Sequence, residues 1–446
     1  MSDYFPEVPD AIPFEGPGTD RPLAFRWYDR SRKVGGRTME RHLRFAVCYW
    51  HTFRGGGADP FGLDPVHRRP WDRGATPLAA AEHTLDAAFE LFTKLGVRHW
   101  CFHDRDLAPE GASVGESARW LEHMVGRAAR AQRATGVRLL WGTANLFSHP
   151  RYTHGAATNP DPLVTAHAAA QVRAAIDATV ALGGTGYVFW GGREGYSSLR
   201  NTDMKRERAQ LAAFLHAAVD YATRTGFEGR FFIEPKPREP SLHQYDFDCA
   251  HTLNSLREFD LFDHFDLNVE ANHATLASHS FEHELRTAAD AGKLGSLDVN
   301  RGVEGVGWDT DNFPLDLRDA VLALAVVRRQ GGLRHGGLNF DAKVRRGSFD
   351  TIDLFHAHVG AMDVFARALL IVERMRVDGF LDSFLDERYA AWRRGLGRKL
   401  LRGEATLEQL ETWAAASGEP ELVSGREEML ENRLNRYLDD PGGPLG

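Results

Sequence analysis

The amino-acid sequence predicts a (β/α)₈ barrel. Eight short runs rich in β-branched and aromatic residues recur along the chain, amphipathic helical patterns fill the intervals, and many of those patterns close on a glycine. No GxGxxG follows the first run, which removes the main signal for a doubly wound dinucleotide-binding sheet.

In order, the strand-like runs are residues 45–50 (FAVCYW), 97–102 (VRHWCF), 137–141 (VRLLW), 186–190 (GYVFW), 231–234 (FFIE), 265–270 (FDLNVE), 294–298 (LGSLD) and 336–341 (GGLNFD). Between them, Leu85, Ala88, Phe89 and Phe92 recur at helical spacing, as do Leu121, Met124, Val125 and Ala128. Gly96, Gly136, Gly183, Gly226 and Gly292 fall where a left-handed residue ends a helix before the next strand. Residues 1–44, rich in Pro and Gly, read as a lead-in arm and 45–380 as the barrel. Residues 381–446 carry helical patterns without strands. There Thr406 with Gln409, and Ser424 with Glu427, resemble capping boxes, and Leu430, Leu434, Tyr437 and Leu438 make an apolar stripe. Such an arm needs a surface to lie on, the barrel or a neighbouring subunit, and the second choice makes a homo-oligomer.

Composition narrows the function. With 446 residues, 43% hydrophobic and 26% charged, the chain can bury a large core. Its net charge of −8, with acids and bases interspersed, argues against nucleic acid or an anionic membrane as partner. No run of eighteen apolar residues occurs and the first ten residues, MSDYFPEVPD, lack a signal pattern, so the expected location is the cytoplasm. Cys48, Cys101 and Cys249 are odd in number and far apart, which suggests buried thiols rather than a disulfide frame or a thiolate zinc site.

In a barrel of this kind, chemistry gathers at the C-terminal ends of the strands. Glu234, Glu270, Asp298 and Asp341 all fall there, too much negative charge to bury together unless cations neutralise it. Oxygen-dominated ligation with a single imidazole favours Mg²⁺ or Mn²⁺, with Co²⁺ as an alternative, over a structural zinc. His273 and the pair Asp309 and Asp311 in GVGWDTDNFP form a second group, and Glu270 between the two groups could bridge two ions. Lys236, two residues beyond Glu234 in the stiff segment EPKP, points the same way and could hold a substrate oxygen or carry a proton. His103, in HDRD after the second run, is a general base if a neighbouring carboxylate orients it. Trp50 and Trp190 end the first and fourth runs, where they could wall the site against water and stack on a sugar.

Taken together, FAVCYWHTF, CFHDRD, LLWGTANLF, GGREGY, IEPKPREP, EANHATLA, the segment from DVNRG to GWDTDNFP, and GGLNFDAKVRR resemble xylose isomerases, specifically the longer class with an extended N-terminal arm. The resemblance spans about residues 23–440. It implies two divalent cations per subunit, Mg²⁺ first: one on Glu234, Glu270, Asp298 and Asp341, the other on Glu270, His273, Asp309 and Asp311. It further implies that His103, held by Asp106, opens the pyranose ring and that Lys236 hydrogen-bonds the C1 oxygen before a metal-assisted 1,2-hydride shift. Phe147 would join Trp50 and Trp190 in lining the cavity, and Phe61 would come from a neighbouring subunit of a tetramer. D-xylose to D-xylulose is the implied reaction, with D-glucose to D-fructose beside it.

Three rivals have different sequence requirements. A rhamnose-type barrel isomerase is nearest. A barrel phosphodiesterase acting on nucleic acid would want a basic stripe, and a glycoside hydrolase needs two carboxylates rather than six acids and a lysine.

Overall fold

A computed structural model of the chain describes residues 4–59, 61–62 and 65–439. Two compact units are present, Met1–Arg367 and Ala368–Gly446. In the first unit eight parallel strands close into a barrel: β1 (Phe45–Cys48), β2 (His99–His103), β3 (Arg138–Thr143), β4 (Gly186–Trp190), β5 (Arg230–Glu234), β6 (Phe265–Glu270), β7 (Leu294–Asp298) and β8 (Leu338–Phe340). Each strand pairs with its sequence neighbours and β8 closes on β1, so the predicted (β/α)₈ barrel is the observed one.

The principal helices are α1 (Pro77–Leu95), α2 (Val114–Thr135), α3 (Pro162–Ala181), α4 (Met204–Thr225), α5 (Cys249–Glu258), α6 (Phe281–Asp290), α7 (Leu317–Arg329) and α8 (Ile352–Val377). Their starts follow from local chemistry. Thr76, Ser113, Asp161, Asp203, Asp248, Ser280 and Asp316 each accept a backbone N–H of the first turn, and prolines stand at the openings of α1 and α3. The five predicted glycines all adopt left-handed backbone, Gly96 and Gly136 as the terminal caps of α1 and α2. The stripes Leu85/Ala88/Phe89/Phe92 and Leu121/Met124/Val125/Ala128 are buried, each large apolar side chain contributing roughly 1.5–3 kcal/mol.

One aromatic ring plugs the barrel floor. Phe232 on β5 is fully buried, packed with Ala46, Cys101, Leu140, Trp141 and Val188. A methyl group built on Gly186 of β4 or on Gly295 of β7 would run into its ring, so both strands need glycine there for the plug to fit. The three cysteines are buried and unpaired, as expected.

The end of the first strand differs from the sequence expectation. The first run ends as strand at Cys48, and Trp50–Arg54 form a π-helical turn, which carries Trp50 off the strand and over the barrel mouth. On the N-terminal side, the Asp363 carboxylate of α8 accepts the backbone N–H groups of Arg26, Trp27 and Tyr28 at 2.7, 2.8 and 2.9 Å. α8 is long and apolar enough to cross a membrane by composition alone, but most of its apolar stretch is buried, as in a core helix.

In the second unit the Thr406–Gln409 capping box forms. The Ser424–Glu427 box does not: the last helix, 427–439, begins too late, and Ser424 Oγ instead accepts Arg426 N–H at 3.3 Å. Leu434 and Tyr437 of the predicted stripe are buried, Tyr437 packing on Phe380 at 5.3 Å and donating to Asp378 at 2.8 Å.

Candidate active site at the barrel mouth

Strand register builds the site. β6 and β7 pair with Glu270 beside Asp298, β4 and β5 with Trp190 beside Glu234, and β7 and β8 with Asp298 beside Asn339. The acids therefore stand in one layer at the C-terminal end. Above them lies a cavity of about 460 Å³, whose walls include Trp50, His103, Phe147, Trp190, Lys236 and His273. Asp298 has no exposure and sits below the cavity lining.

The carboxylates converge in two overlapping sets. Glu234, Glu270, Asp298 and Asp341 bring one oxygen each within 4.8 Å of one another, and Glu270, Asp309 and Asp311 do the same. His273 Nε2 lies 3.1 Å from Glu270 Oε2 and 3.3 Å from Asp309 Oδ2, while its Nδ1 stands 3.6 Å from Glu234 Oε1, beyond hydrogen-bond reach. Glu270 belongs to both sets. Burial, reinforced by the neighbouring acids, pushes the Glu270 and Asp298 carboxyls well above their ordinary range. Asp309 goes the other way: burial would raise it, but the Lys236 charge holds it well below. Acids whose ionised form is disfavoured by burial and mutual repulsion, arranged with one imidazole around a shared glutamate, are a donor set that fits two divalent cations.

Lys236 Nζ donates to Asp309 Oδ2 at 2.7 Å, lies 3.4 Å from Glu239 Oε2, and sits 5.1 Å from the Trp190 ring centre. It is buried, so it is a cavity group and not a surface ion pair. His103 Nδ1 pairs with Asp106 Oδ2 at 3.0 Å, which fixes Nδ1 as the protonated nitrogen of the neutral ring and leaves Nε2 as the acceptor. The His103 ring stacks on Trp50 at 4.2 Å and meets Phe147 edge-on at 5.7 Å, and Phe147 in turn meets Trp190 at 4.5 Å. Phe61, expected to reach the cavity of a neighbouring subunit, is 89% exposed and does not line the cavity of its own chain; its ring lies 6.4 Å from that of Trp308.

Sequence reasoning missed a second layer. Asn268 Nδ2 bridges Glu234 Oε2 (3.0 Å) and Asp298 Oδ2 (2.8 Å), and Asn339 Nδ2 donates to the other Asp298 oxygen at 2.8 Å. Asn300 Nδ2 reaches Glu270 Oε1 at 2.7 Å and Asp311 Oδ1 at 3.2 Å, and Asn272 Nδ2 donates to Asp309. A signal existed for two of them: Asn268 and Asn339 stand two residues before Glu270 and Asp341, hence on the same strand face. His51 was also missed. Its Nε2 lies 3.2 Å from Asp311 Oδ2 and 3.1 Å from Asp341 Oδ1, joining one acid of each set. Burial alone would lower its pKa, but the two carboxylates push it up to about 9. Lys343 Nζ also meets Asp311 Oδ2, at 3.0 Å, adding a second positive partner to that acid.

Clustered carboxylates, a buried lysine, an oriented histidine and aromatic walls thus meet in one concave site at the barrel mouth, suited to a small polar ligand. Comparison with known proteins identifies the family. The chain is 58% identical over 436 residues to xylose isomerase 2 of Xanthomonas campestris pv. campestris, covering 98% of this chain and 97% of that one. It is 56% identical over 436 residues to a xylose isomerase of Xanthomonas oryzae pv. oryzae, with the same coverage. The chain belongs to the xylose isomerase family. The family model for the XylA2 C-terminal domain matches residues 385–438. Among solved structures, D-psicose 3-epimerase of Clostridium cellulolyticum H10 aligns with TM-score 0.47 and 13% identity over 73% of this chain and 99% of that one. The 3-keto-D-glucoside 4-epimerase of E. coli aligns with TM-score 0.46 and 14% identity over 70% and 96%.

Proposed function

We propose that this chain interconverts D-xylose and D-xylulose, with D-glucose and D-fructose as a side pair, by ring opening followed by a 1,2-hydride shift. The observation that carries the reading is the shared position of Glu270 between two carboxylate sets under one aromatic-walled cavity. Glu234, Glu270, Asp298 and Asp341 would hold one divalent cation and Glu270, His273, Asp309 and Asp311 the other, Mg²⁺ suiting the oxygen-rich donors, with Mn²⁺ or Co²⁺ as alternatives. When bound, such cations supply Lewis-acid polarisation of adjacent sugar oxygens, the requirement for moving a hydride between C2 and C1.

The chain's own groups do the rest. His103, its tautomer fixed by Asp106, moves the proton that opens the pyranose ring through Nε2. The Lys236 ammonium, held by Asp309, donates a hydrogen bond to the C1 oxygen of the open chain. Trp50, Trp190 and Phe147 exclude water, so that solvent protons do not compete at the reacting carbons. Phe61, exposed on its own chain, is available to the cavity of a neighbouring subunit in a tetramer. Residues 381–446 are the segment proposed to make oligomer contacts.

The test is to strip the protein with EDTA, restore Mg²⁺, Mn²⁺ or Co²⁺, and follow D-xylose in D₂O by NMR. Cation-dependent D-xylulose with little deuterium at C1 is expected. Equal turnover by the stripped protein would overturn the cation sites, and extensive deuterium would replace the hydride shift with an enediol path. His273→Ala should abolish turnover and weaken one cation while sparing the other.

A further inference from the structure

Away from the barrel mouth, His279, His283 and Glu284 offer two imidazole nitrogens and a carboxylate oxygen within 4.8 Å of one another. We propose that these three residues form a separate binding site for a late first-row divalent cation such as Zn²⁺. None of the three lines the acid-walled cavity.

Donor chemistry sets the ion. Two imidazoles and one carboxylate suit Zn²⁺ or its neighbours, whereas the oxygen-rich barrel mouth suits Mg²⁺ or Mn²⁺. Three protein ligands leave a fourth position for water.

The geometry is largely built. Glu284 is buried, and its Oε2 accepts the backbone N–H of Cys249 at 2.8 Å, which turns Oε1 outward. That oxygen lies 2.7 Å from His279 Nδ1 and 3.9 Å from His283 Nε2. Ser278, at φ 62°, turns the chain after the short helix Ala271–Leu276 and delivers His279 to this point. Ser280 caps α6 by accepting His283 N–H at 3.1 Å, which fixes the backbone of the second imidazole. The two rings stand edge-on at 4.9 Å, with side-chain exposures of 30% and 58%, so an ion reaches them from solvent. Tetrahedral zinc wants donors about 3.3 Å apart, a closure that the exposed His283 ring supplies by rotation. The start of α6 disfavours a cation, and Glu282 and Glu284 in its first turn offset that.

Filling the site would displace the proton that His279 shares with Glu284 and replace a two-residue hydrogen bond with a three-ligand staple. Through Cys249, the staple would tie the start of α5 to that of α6.

The test uses the full chain in excess Mg²⁺, with Zn²⁺ as probe, bound zinc being counted after equilibrium dialysis and thermal unfolding followed in parallel. The parent should bind one more zinc per chain than the double variant His279→Asn, His283→Asn. Zinc should raise the unfolding temperature of the parent by more than that of His283→Asn, whose exposed position spares the fold. An X-ray absorption spectrum of the bound zinc should show two imidazoles. Equal zinc uptake by parent and double variant overturns the proposal. So does loss of the zinc in His273→Ala with retention in the double variant, which would place the ion at the barrel mouth. Failure of the proposed isomerase reaction would appear as absent Mg²⁺-dependent turnover and would leave this zinc count unchanged.

Discussion

Trp50 donates its indole N–H to Asp341 Oδ1 at 2.8 Å, so an aromatic wall of the cavity is also a hydrogen-bond donor to one of the clustered acids. Trp50→Phe keeps the wall and the stack on His103 but removes that donor. A hydrogen bond to a charged acceptor contributes roughly 1.5–3 kcal/mol, so the stripped protein should lose stability of about that size, measured by urea unfolding in EDTA. Unchanged stability would show that Asp341 is positioned without Trp50.

His51 spans the two carboxylate sets through Asp311 and Asp341. His51→Leu leaves both oxygens without that partner in a buried setting. The stripped protein should lose on the order of 2 kcal/mol of stability, read from urea unfolding in EDTA, and restoring cations should recover part of the loss. A variant as stable as the parent would exclude this bridge from the energetics.

Acid sensitivity should trace in part to His358. It is buried among Phe313 and Phe340, its Nδ1 donates to Leu354 O at 2.7 Å, and burial lowers its pKa to about 4. A histidine whose folded pKa lies below its unfolded value near 6.5 binds fewer protons in the folded state between those values. Stability then falls as pH drops through that window, by about 2 kcal/mol at pH 5. His358→Phe should flatten the slope of unfolding free energy between pH 7 and pH 5; an identical slope would assign the sensitivity to other groups.

Gly295→Ala places a methyl group against the Phe232 ring that plugs the barrel floor. Overpacking of this kind costs about 1–3 kcal/mol. A lowered unfolding temperature is expected, with rescue in the double variant Gly295→Ala, Phe232→Leu. No rescue would mean that the strain lies in the backbone and not in the ring.

The barrel was legible because its strands are buried on both faces and carry concentrated apolar and aromatic runs, bounded by helices with explicit caps. The run at 265–270 coincides with β6, and its last residue, Glu270, stands where two carboxylate sets overlap. Trp50 was misplaced onto a strand because a π-helical turn leaves no periodicity to read over five residues. The asparagines and His51 were passed over for a different reason. A neutral carboxamide under an acid looks like any buried polar residue until its partners are known, and His51 meets Asp311 and Asp341 across 260 and 290 residues of chain. Ser424 illustrates the limit of a short motif, since a helix that starts two residues late turns a capping box into an ordinary loop contact.

Phe232 fills the barrel interior beneath the acids, and above them opens the wide cavity at the barrel mouth. An ion bound for Asp298, which lies beneath that cavity and has no exposure, would share this mouth with the sugar. Loading would then be sequential, ions first and sugar last, and a seated sugar would act as a stopper. Chelators should therefore strip the empty protein faster than the protein under saturating sugar, and product should slow ion exchange as effectively as substrate does.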